Sequence, residues 1–214
     1  MPRISEATIA EHVARQEMAV LAAAVGLFVE RGYSAVSLAD IAAAVGLARN
    51  SLYRYFPDKA HIFLRWFRSE LAARAERSAE LAGTADSPSE RLAAWVLDQL
   101  DYAQRPEHRL LAAFAELAAD LDEATRRELA ESHLRLFAPL NGVLADAGVD
   151  GPSARDLAVD LIGGIVLAAS GHEARQGVST SERARVLAAV LAVVSSMVTS
   201  GQDLDGVATP GLLA

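Results

Sequence analysis

The sequence predicts an all-helical protein of about nine helices. Alanine and leucine dominate a chain of 214 residues, of which 52% are hydrophobic. Apolar residues recur at intervals of three and four, as in Met18, Leu21, Ala22 and Val25, which is the period of a helix with one apolar face. A chain of this length and hydrophobic content can bury a sizeable core.

The first three boundaries come from glycines and one capping pattern. A first helix is predicted for residues 5–31, because Gly32 is a usual residue just past a helix end. Ser37, followed three residues later by Asp40, resembles a capping box and starts a short helix that Gly46 ends.

The later boundaries follow from prolines, serines and glycines. A second short helix is predicted for residues 49–55, and Pro57 with Asp58 opens a long helix that runs to about Ala82. Pro139 lies inside a helical pattern and is expected to kink or break it. Further boundaries are predicted at Ser87 to Glu90, at Pro106, at residues 148–152, and at Ser179 with Glu182.

Several kinds of chemistry are excluded by composition and motif. The chain has no cysteine, so it forms no disulfide, thiolate metal site or thiol nucleophile. It has no Gly-rich phosphate loop, no His-Glu-x-x-His motif and no Glu-x-x-His motif. We therefore expect no enzyme activity, no metal and no cofactor.

The chain is expected to be cytoplasmic and to have no membrane partner. Its longest apolar stretches, residues 161–171 and 186–198, are too short to span a bilayer, and no basic-then-apolar signal opens the sequence.

Charge is distributed unevenly along the chain. The formal net charge is -8, which disfavours non-specific adhesion to nucleic acid. Residues 1–77 nevertheless carry ten Arg and Lys against eight Asp and Glu, whereas residues 78–214 carry ten against twenty. A basic face on an acidic body indicates two separate tasks in one chain.

The stretch around Gly46 explains the basic face. Two short helices joined by a turn at Gly46 have the proportions of a helix-turn-helix. Five apolar residues can pack on the first helix: Ile41, Val45, Leu47, Leu52 and Phe56. Arg49, Asn50, Ser51 and Arg54 then remain outside, where Arg and Asn can read base edges in a major groove. Spacing alone leaves open a solvated surface in an ordinary helical protein.

A family resemblance favours the DNA-binding interpretation. The segment "SLADIAAAVGLARNSLYRYFPDKAHIF", preceded by "LFVERGYSAVSL", resembles the N-terminal domain of the TetR family of bacterial transcriptional regulators over about residues 15–67. The resemblance implies a three-helix DNA-binding domain at residues 1–56 and a helical effector-binding and dimerisation domain at residues 57–200. Residues 201–214 have little periodicity and are expected to form a flexible tail.

The resemblance also implies roles for individual residues of this domain. Ser37 would cap its helix and touch a phosphate, and Arg49, Asn50 and Ser51 would face bases. The residues implied to hold the DNA backbone are Tyr53, Tyr55 and Lys59, and Arg54 could serve either purpose. The chain departs from the family at Ala48, where Ser or Thr usually caps the recognition helix, at a cost of ~1 kcal/mol.

Two C-terminal helices, predicted for residues 157–174 and 182–200, are apolar on more than one side. Such helices need more than one neighbour, so each is either a core helix or part of a dimer interface. The resemblance favours a four-helix homodimer interface containing Leu161, Gly164, Ile165, Ala168, Val190 and Val194.

A small-molecule pocket is predicted from aromatic residues with a few polar tips, which suit a mostly apolar site. Each residue taken singly is better explained by core packing than by ligand contact, and only the set together favours a pocket. The predicted set is Trp66, Trp95, Tyr102, Phe114, His133, Phe137, Asn141 and His172.

These features together predict a ligand-responsive, homodimeric transcriptional regulator, a repressor that binds a palindromic double-stranded DNA operator until a small-molecule effector releases it. The alternative is a helical small-molecule binding protein without a role in transcription.

Overall fold

The computed structural model describes residues 6–118 and 120–203. These two ranges are helical and contain no strand, as the sequence predicts. The helices are α1 (Glu6–Arg31), α2 (Leu38–Ala44), α3 (Arg49–Leu52), α4 (Lys59–Ala82), α5 (Pro88–Ala103), a 3-10 helix (Pro106–Leu110), α6 (Leu111–Ala118), α7 (Glu123–Leu134), α8 (Ala138–Asp146), α9 (Pro152–Gln176) and α10 (Thr180–Asp203).

Local sequence signals set most of the helix ends. Ser87 accepts a hydrogen bond from the backbone N–H of Glu90, whose carboxylate accepts one from the backbone N–H of Ser87, so a capping box starts α5 at the predicted boundary. Pro139 lies in the first turn of α8 and marks the predicted break between α7 and α8.

Three helices differ in length from the prediction. Helix α9 covers Pro152–Gln176, which is longer at both ends than the predicted 157–174. The helix that follows Gly46 covers only Arg49–Leu52, and hydrogen-bonded turns continue from it to Phe56. Helix α10 runs to Asp203, three residues past its predicted end. The rest of the predicted tail, residues 204–214, lies outside the described residues.

The chain forms two compact units. The first unit contains the residues up to Ala73 together with Arg105–Ser132, and the second contains Arg74–Gln104 together with the residues from His133 onward. Helix α4 contributes its first part to the first unit and its second part to the second. The units therefore divide the chain at other places than the predicted boundary between residues 56 and 57.

The core of the first unit is aromatic and holds the short helices against α1 and α4. The ring of Phe28 from α1 lies 6.2 Å from the ring of Phe63 from α4, and Tyr33 lies 5.2 Å from Phe28 and 5.3 Å from Phe63. Ile41 and Leu52 are both fully buried. Burying such side chains contributes roughly 1.5–3 kcal/mol each, so this core fixes the position of α2 and α3.

The core of the second unit is built from α5, α8, α9 and α10. Its fully buried residues include Trp95, Leu100, Leu140 and Ile162. The indole N–H of Trp95 donates to the hydroxyl of Ser78 at 2.7 Å, and that hydroxyl donates to the backbone oxygen of Leu136 at 2.6 Å. The indole N–H of Trp95 and the hydroxyl of Ser78 are thus both hydrogen-bonded inside this core.

Two described segments, Glu11–Arg31 and Pro152–Gln176, are long and apolar enough to cross a bilayer on length and composition alone. The second is longer than the apolar stretch 161–171 on which the sequence prediction relied. Core helices of water-soluble proteins pass the same test, so these two segments are weak evidence for a membrane span.

Candidate nucleic-acid interface

The turn between α2 and α3 aims the second helix away from the core. Gly46 has a φ of +68°, which favours glycine because a Cβ would be strained there. The backbone N–H of Leu47 bonds the carbonyl of Ala42 at 2.8 Å, which closes the end of α2. Leu52 anchors α3 in the core, so the opposite side of α3 faces solvent.

The solvent side of α3 carries the groups predicted to contact DNA. Arg49, Asn50, Tyr53 and Arg54 are exposed, and Ser51 is half-buried. Tyr55, also half-buried, follows in the turn after α3. The structure thus brings the predicted base-reading residues together on one short helix and the turn after it.

Arg49 and Tyr53 are linked on this surface. The guanidinium of Arg49 donates to the hydroxyl of Tyr53 at 3.0 Å, and its carbon lies 5.7 Å from the centroid of the Tyr53 ring. Ala48 occupies the N-cap of α3 and makes no side-chain capping bond, as the sequence predicts. The start of this helix is held by backbone bonds and by packing alone.

Ser37 is exposed at the N-cap of α2 and forms the predicted capping box with Asp40. The backbone N–H of Ser37 donates to the Asp40 carboxylate at 2.8 Å, and the backbone N–H of Asp40 donates to the Ser37 hydroxyl at 3.2 Å. Hydrogen bonds from Ser37 lower the pKa of Asp40. The hydroxyl of Ser37 also donates to this carboxylate, so a phosphate contact from it would need that bond to be exchanged.

Lys59 has a structural role that the sequence did not indicate. Its ammonium donates to the backbone oxygens of Tyr33 at 2.7 Å and Val36 at 2.8 Å. It also lies 4.2 Å from the centroid of the Tyr33 ring. Burial lowers the pKa of Lys59. Lys59 therefore ties the start of α4 to the turn before α2, and only its third proton is left for the phosphate contact that the resemblance implies.

The residues predicted to form one ligand pocket fall into the two compact units. Trp66 and Phe114 belong to the first unit, where Phe67 lies 6.3 Å from Trp66 and stacks on Phe114 at 4.4 Å between ring centroids. The remaining predicted residues belong to the second unit: Trp95, Tyr102, His133, Phe137, Asn141 and His172.

Within the second unit, only three of these residues form a contiguous group. Phe137 lies 5.6 Å from Trp95 and 5.4 Å from His133. The ring of Tyr102 instead stacks on the guanidinium of Arg74 at 4.4 Å, and His172 lies 2.8 Å from the carboxylate of Glu182. Asn141 is half-buried in α8.

A cavity of about 440 Å³ in the second unit is lined by other residues, from α5, α8 and α10. Its apolar wall includes Leu92, Val143 and Leu191, and its rim includes Ser89 and Asp146. None of the predicted ligand-binding residues lines this cavity. The set of predicted ligand-binding residues stays a prediction.

The buried charge of Arg74 was missed by the sequence reasoning. Its side chain is 7% exposed and pairs with Asp98, which is 24 residues further along the chain. Because the partner lies on another helix, the spacing of charges along the sequence gives no signal for this pair.

The predicted dimer residues divide between a free face and the core. Leu161, Gly164 and Ala168 are exposed on α9, and Ile165 is half-buried. Val190 and Val194, by contrast, are 1% and 7% exposed, because they face the core of their own unit. The physical reason is that α10 presents these two side chains to α9 and α5, and its other side remains outside.

No group of three or more His, Cys, Asp or Glu side chains that could hold a metal ion is found among the residues that the structure describes.

Comparisons with known proteins agree with this architecture. Residues 20–65 match the family model described as bacterial regulatory proteins, tetR family. A search of curated proteins returned no match to the sequence.

Several solved structures have a similar fold. A TetR-family transcriptional regulator from Streptomyces coelicolor is 16% identical, with a TM-score of 0.67, and the match covers 90% of this chain and 86% of that one. A transcriptional regulator of the TetR/AcrR family from Thermobifida fusca is 22% identical, with a TM-score of 0.60 and coverage of 86% and 97%. The transcriptional regulator FadR from Bacillus subtilis, solved in complex with stearoyl-CoA, is 20% identical, with a TM-score of 0.61 and coverage of 85% and 97%.

The fold and the exposed helix-turn-helix thus define a chain built like the DNA-binding regulators of bacteria. Its helix-turn-helix segment matches the TetR-family model, and the chain as a whole has the fold of TetR-family transcriptional regulators.

Proposed function

We propose that the protein is a homodimeric transcriptional repressor that binds a palindromic operator and is released from it by a small-molecule effector. The observation that carries this proposal is the exposed surface of α3 and of the turn after it, where Arg49, Asn50 and Arg54 are exposed. Arg paired with guanine and Asn paired with adenine are the bidentate contacts by which proteins read the major groove.

A dimer is supported by an apolar face that the protomer leaves uncovered. On α9, Leu157, Leu161, Gly164 and Ala168 recur at intervals of four, three and four, and Leu167 beside them is 72% exposed. On α10, the exposed side carries small residues: Ala184, Ala188, Ala192 and Ser195. Exposed apolar residues grouped on one side of a helix in this way are typical of a protein interface.

The small residues define how a second copy would approach. A Cβ added at Gly164 would meet no atom of its own protomer within 4 Å, so this position is open to a partner. Two α9–α10 pairs facing each other would form a four-helix interface around a two-fold axis. The two copies of α3 would then read two half-sites in inverted orientation, centred about one DNA turn or a multiple of it apart.

Release by an effector is supported by the course of α4. This helix begins with Lys59, which holds the turn before α2, and ends in the second unit at Ala82. A ligand that shifts the equilibrium away from DNA must bind the DNA-incompetent state more tightly, because equal affinity for both states shifts nothing. We place the effector against the contiguous group of Trp95, His133 and Phe137 in the second unit.

The alternative, a helical small-molecule binding protein without a role in transcription, does not account for the exposed polar surface of α3. Such a protein has no use for Arg49, Asn50 and Arg54 exposed together on a short helix and the turn after it. A cytoplasmic location follows from the proposed function, since the operator lies there.

The test is a mobility shift of DNA from either side of the protein's own gene, with the parent and Asn50→Ala compared at several salt concentrations. The proposal expects a complex with the parent that survives an excess of random DNA and is weakened in Asn50→Ala. Identical binding of flanking and random DNA by the parent would leave the small-molecule binding alternative as the better account.

A further inference from the structure

A second cavity, of about 610 Å³, lies within the first unit between α1, α4 and the 3-10 helix. Its volume falls in the range of ~300–1,000 Å³ that is usual for small-molecule sites. We propose that this cavity binds an apolar, aromatic organic molecule that carries one positive charge. The site is separate from the effector site proposed for the second unit.

One wall of the cavity is an apolar stripe of α1. Leu21, Val25 and Val29 recur every four residues and line the cavity, with Ala22 and Gly26 between them. The indole of Trp66 from α4 forms part of the opposite wall and is held by Phe63 at 5.4 Å and Phe67 at 6.3 Å. An indole face and aliphatic side chains suit a flat or aromatic ligand, and indole is the best side chain for contact with a cation.

Gly26 keeps the α1 wall shallow. It lies in the interior of a 26-residue helix, where glycine is less favourable than alanine by roughly 0.5–1 kcal/mol. A Cβ added there would meet no atom within 4 Å, so packing does not require glycine at this position. The cavity accounts for it, because a larger side chain at residue 26 would occupy the space.

The rim of the cavity selects the sign of the ligand charge. Glu70 from α4 and Glu107 from the 3-10 helix line it, and Arg105 is the one basic group among the residues that line it. Within residues 6–118 and 120–203, neither carboxylate has a cation as an ion-pair partner. Two carboxylates and one guanidinium give the rim a net charge of -1, which one organic cation would neutralise.

Because of its position, a ligand bound in this cavity would also affect DNA binding. Its α1 wall continues to Phe28 and the turn at Tyr33, which Lys59 ties to the start of α4. A ligand that separates α1 from α4 would disturb this tie and, with it, the placement of α2 and α3. This consequence rests on the proposed DNA-binding function, whereas ligand binding itself does not.

The test uses the full chain and tetraphenylphosphonium as the probe, with tetraphenylborate as a control of nearly equal shape and opposite charge. Calorimetry without DNA measures affinity, and tryptophan fluorescence reports the site, because Trp66 lines the cavity and Trp95 is buried in the second unit. We expect the cation to bind and to quench the fluorescence of Trp95→Phe but not that of Trp66→Phe. Tetraphenylborate is expected to bind at least about tenfold more weakly.

Two variants locate the site. Gly26→Leu fills the cavity and should weaken the binding of tetraphenylphosphonium at least about tenfold. The matched control is Gly142→Leu on α8, where a Cβ would also meet open space, and it should leave that affinity unchanged. Glu70→Gln should weaken the binding of tetraphenylphosphonium roughly threefold. The difference in affinity between this cation and tetraphenylborate should become smaller. Equal affinity of the parent and Gly26→Leu, or equal binding of both probes, would overturn the proposal.

The outcome is independent of the proposed function, because the probes are first measured without DNA. Loss of probe binding in Gly26→Leu with operator binding retained supports the site. Failure of the parent to bind any operator would refute the proposed function and leave the probe result standing.

Discussion

The guanidinium of Arg49 donates a hydrogen bond of 3.0 Å to the hydroxyl of Tyr53, one turn further along the chain. Both side chains are exposed, so the bond holds Arg49 along the surface of α3 without burying it. A contact to guanine would use other N–H groups of the same planar guanidinium, which has five donors. Tyr53 therefore limits the conformational freedom of the Arg49 side chain before DNA binds, so less side-chain entropy is lost on binding.

Arg49→Ala and Asn50→Ala are each expected to weaken specific operator binding by ~1–3 kcal/mol and to relax discrimination at one operator position. Tyr53→Phe removes only the acceptor and should cause a smaller loss in the same direction. Fluorescence anisotropy with operator and random duplexes measures both effects. An equal loss on operator and random DNA would show that these residues contact phosphates and read no bases.

Lys59→Met is expected to destabilise the first unit, because two backbone oxygens lose the ammonium that now bonds them. Removing hydrogen bonds to a charged group costs ~1.5–3 kcal/mol each where the groups stay unpaired, and less where water replaces the donor. Urea unfolding of the variant and parent measures the change.

The salt dependence of DNA binding separates this role from the phosphate contact that the resemblance implies. If Lys59 only stabilises the first unit, Lys59→Met leaves the slope of log affinity against log salt concentration unchanged. If Lys59 also contacts a phosphate, the variant reduces the size of that slope by about one. A shallower slope with unchanged free energy of unfolding would contradict the stabilising role of Lys59.

Leu161→Glu is expected to convert the proposed dimer into folded monomers, since Leu161 is 43% exposed on the apolar face of α9 and a charge there would be buried by a partner. The matched control is Leu134→Glu on α7, which is 65% exposed and outside that face; it should remain dimeric. Sedimentation velocity distinguishes the species. A Leu161→Glu protein that sediments as a dimer would place the interface elsewhere.

Val190 gives a different expectation from the one that the sequence alone suggested. Because it is 1% exposed within its own unit, Val190→Asp buries an unpaired charge in the protomer core and should unfold the second unit. Circular dichroism would show this loss directly.

Stability is expected to fall as the pH decreases from about 7 to 5, in part because of His108. Burial lowers the pKa of this half-buried side chain below its usual value. The unfolded chain then takes up a proton near pH ~6.5 that the folded chain takes up only at lower pH. The contribution of neutral His108 to the free energy of unfolding is therefore fully present above about pH 6.5, and it is lost as the pH falls through the pKa of His108 in the folded chain.

His108→Gln should therefore lose stability less steeply over this interval, whereas His12→Gln, which changes an exposed histidine, should follow the parent. Thermal unfolding at a series of pH values makes the comparison. Asp40, whose pKa is lowered from 3.8, changes the stability only at pH values below this interval. Parallel curves for His108→Gln and the parent would contradict the effect of burial.

Much of the fold was predictable because its signals are local. Gly46 and the capping box at Ser37 lie within ten residues of the helices that they bound, and Pro139 acts on its own helix. The exposed side of α3 was predictable for the same reason, since four residues of a short helix have only one side to turn outward once Leu52 is buried.

The remaining features depend on residues that are distant in sequence. Lys59 bonds backbone oxygens 26 and 23 residues earlier, and carbonyl oxygens carry no signature in a sequence. A helix that is apolar on two sides does not indicate which side meets its own core, so Val190 and Leu161 were predicted to share an interface although they face different surroundings. The aromatic residues were assigned to one pocket because composition cannot place Trp66 and Trp95 in separate compact units.

Selection of duplexes from a random library by the full chain tests the central claim most directly. Sequencing of the bound DNA is predicted to yield an inverted repeat whose half-sites are centred about 10 base pairs, or a multiple of that, apart. Asn50→Ala is predicted to lose preference at one symmetric position of that repeat. Bound DNA with the same composition as the input library would contradict the claim that this helix-turn-helix reads an operator.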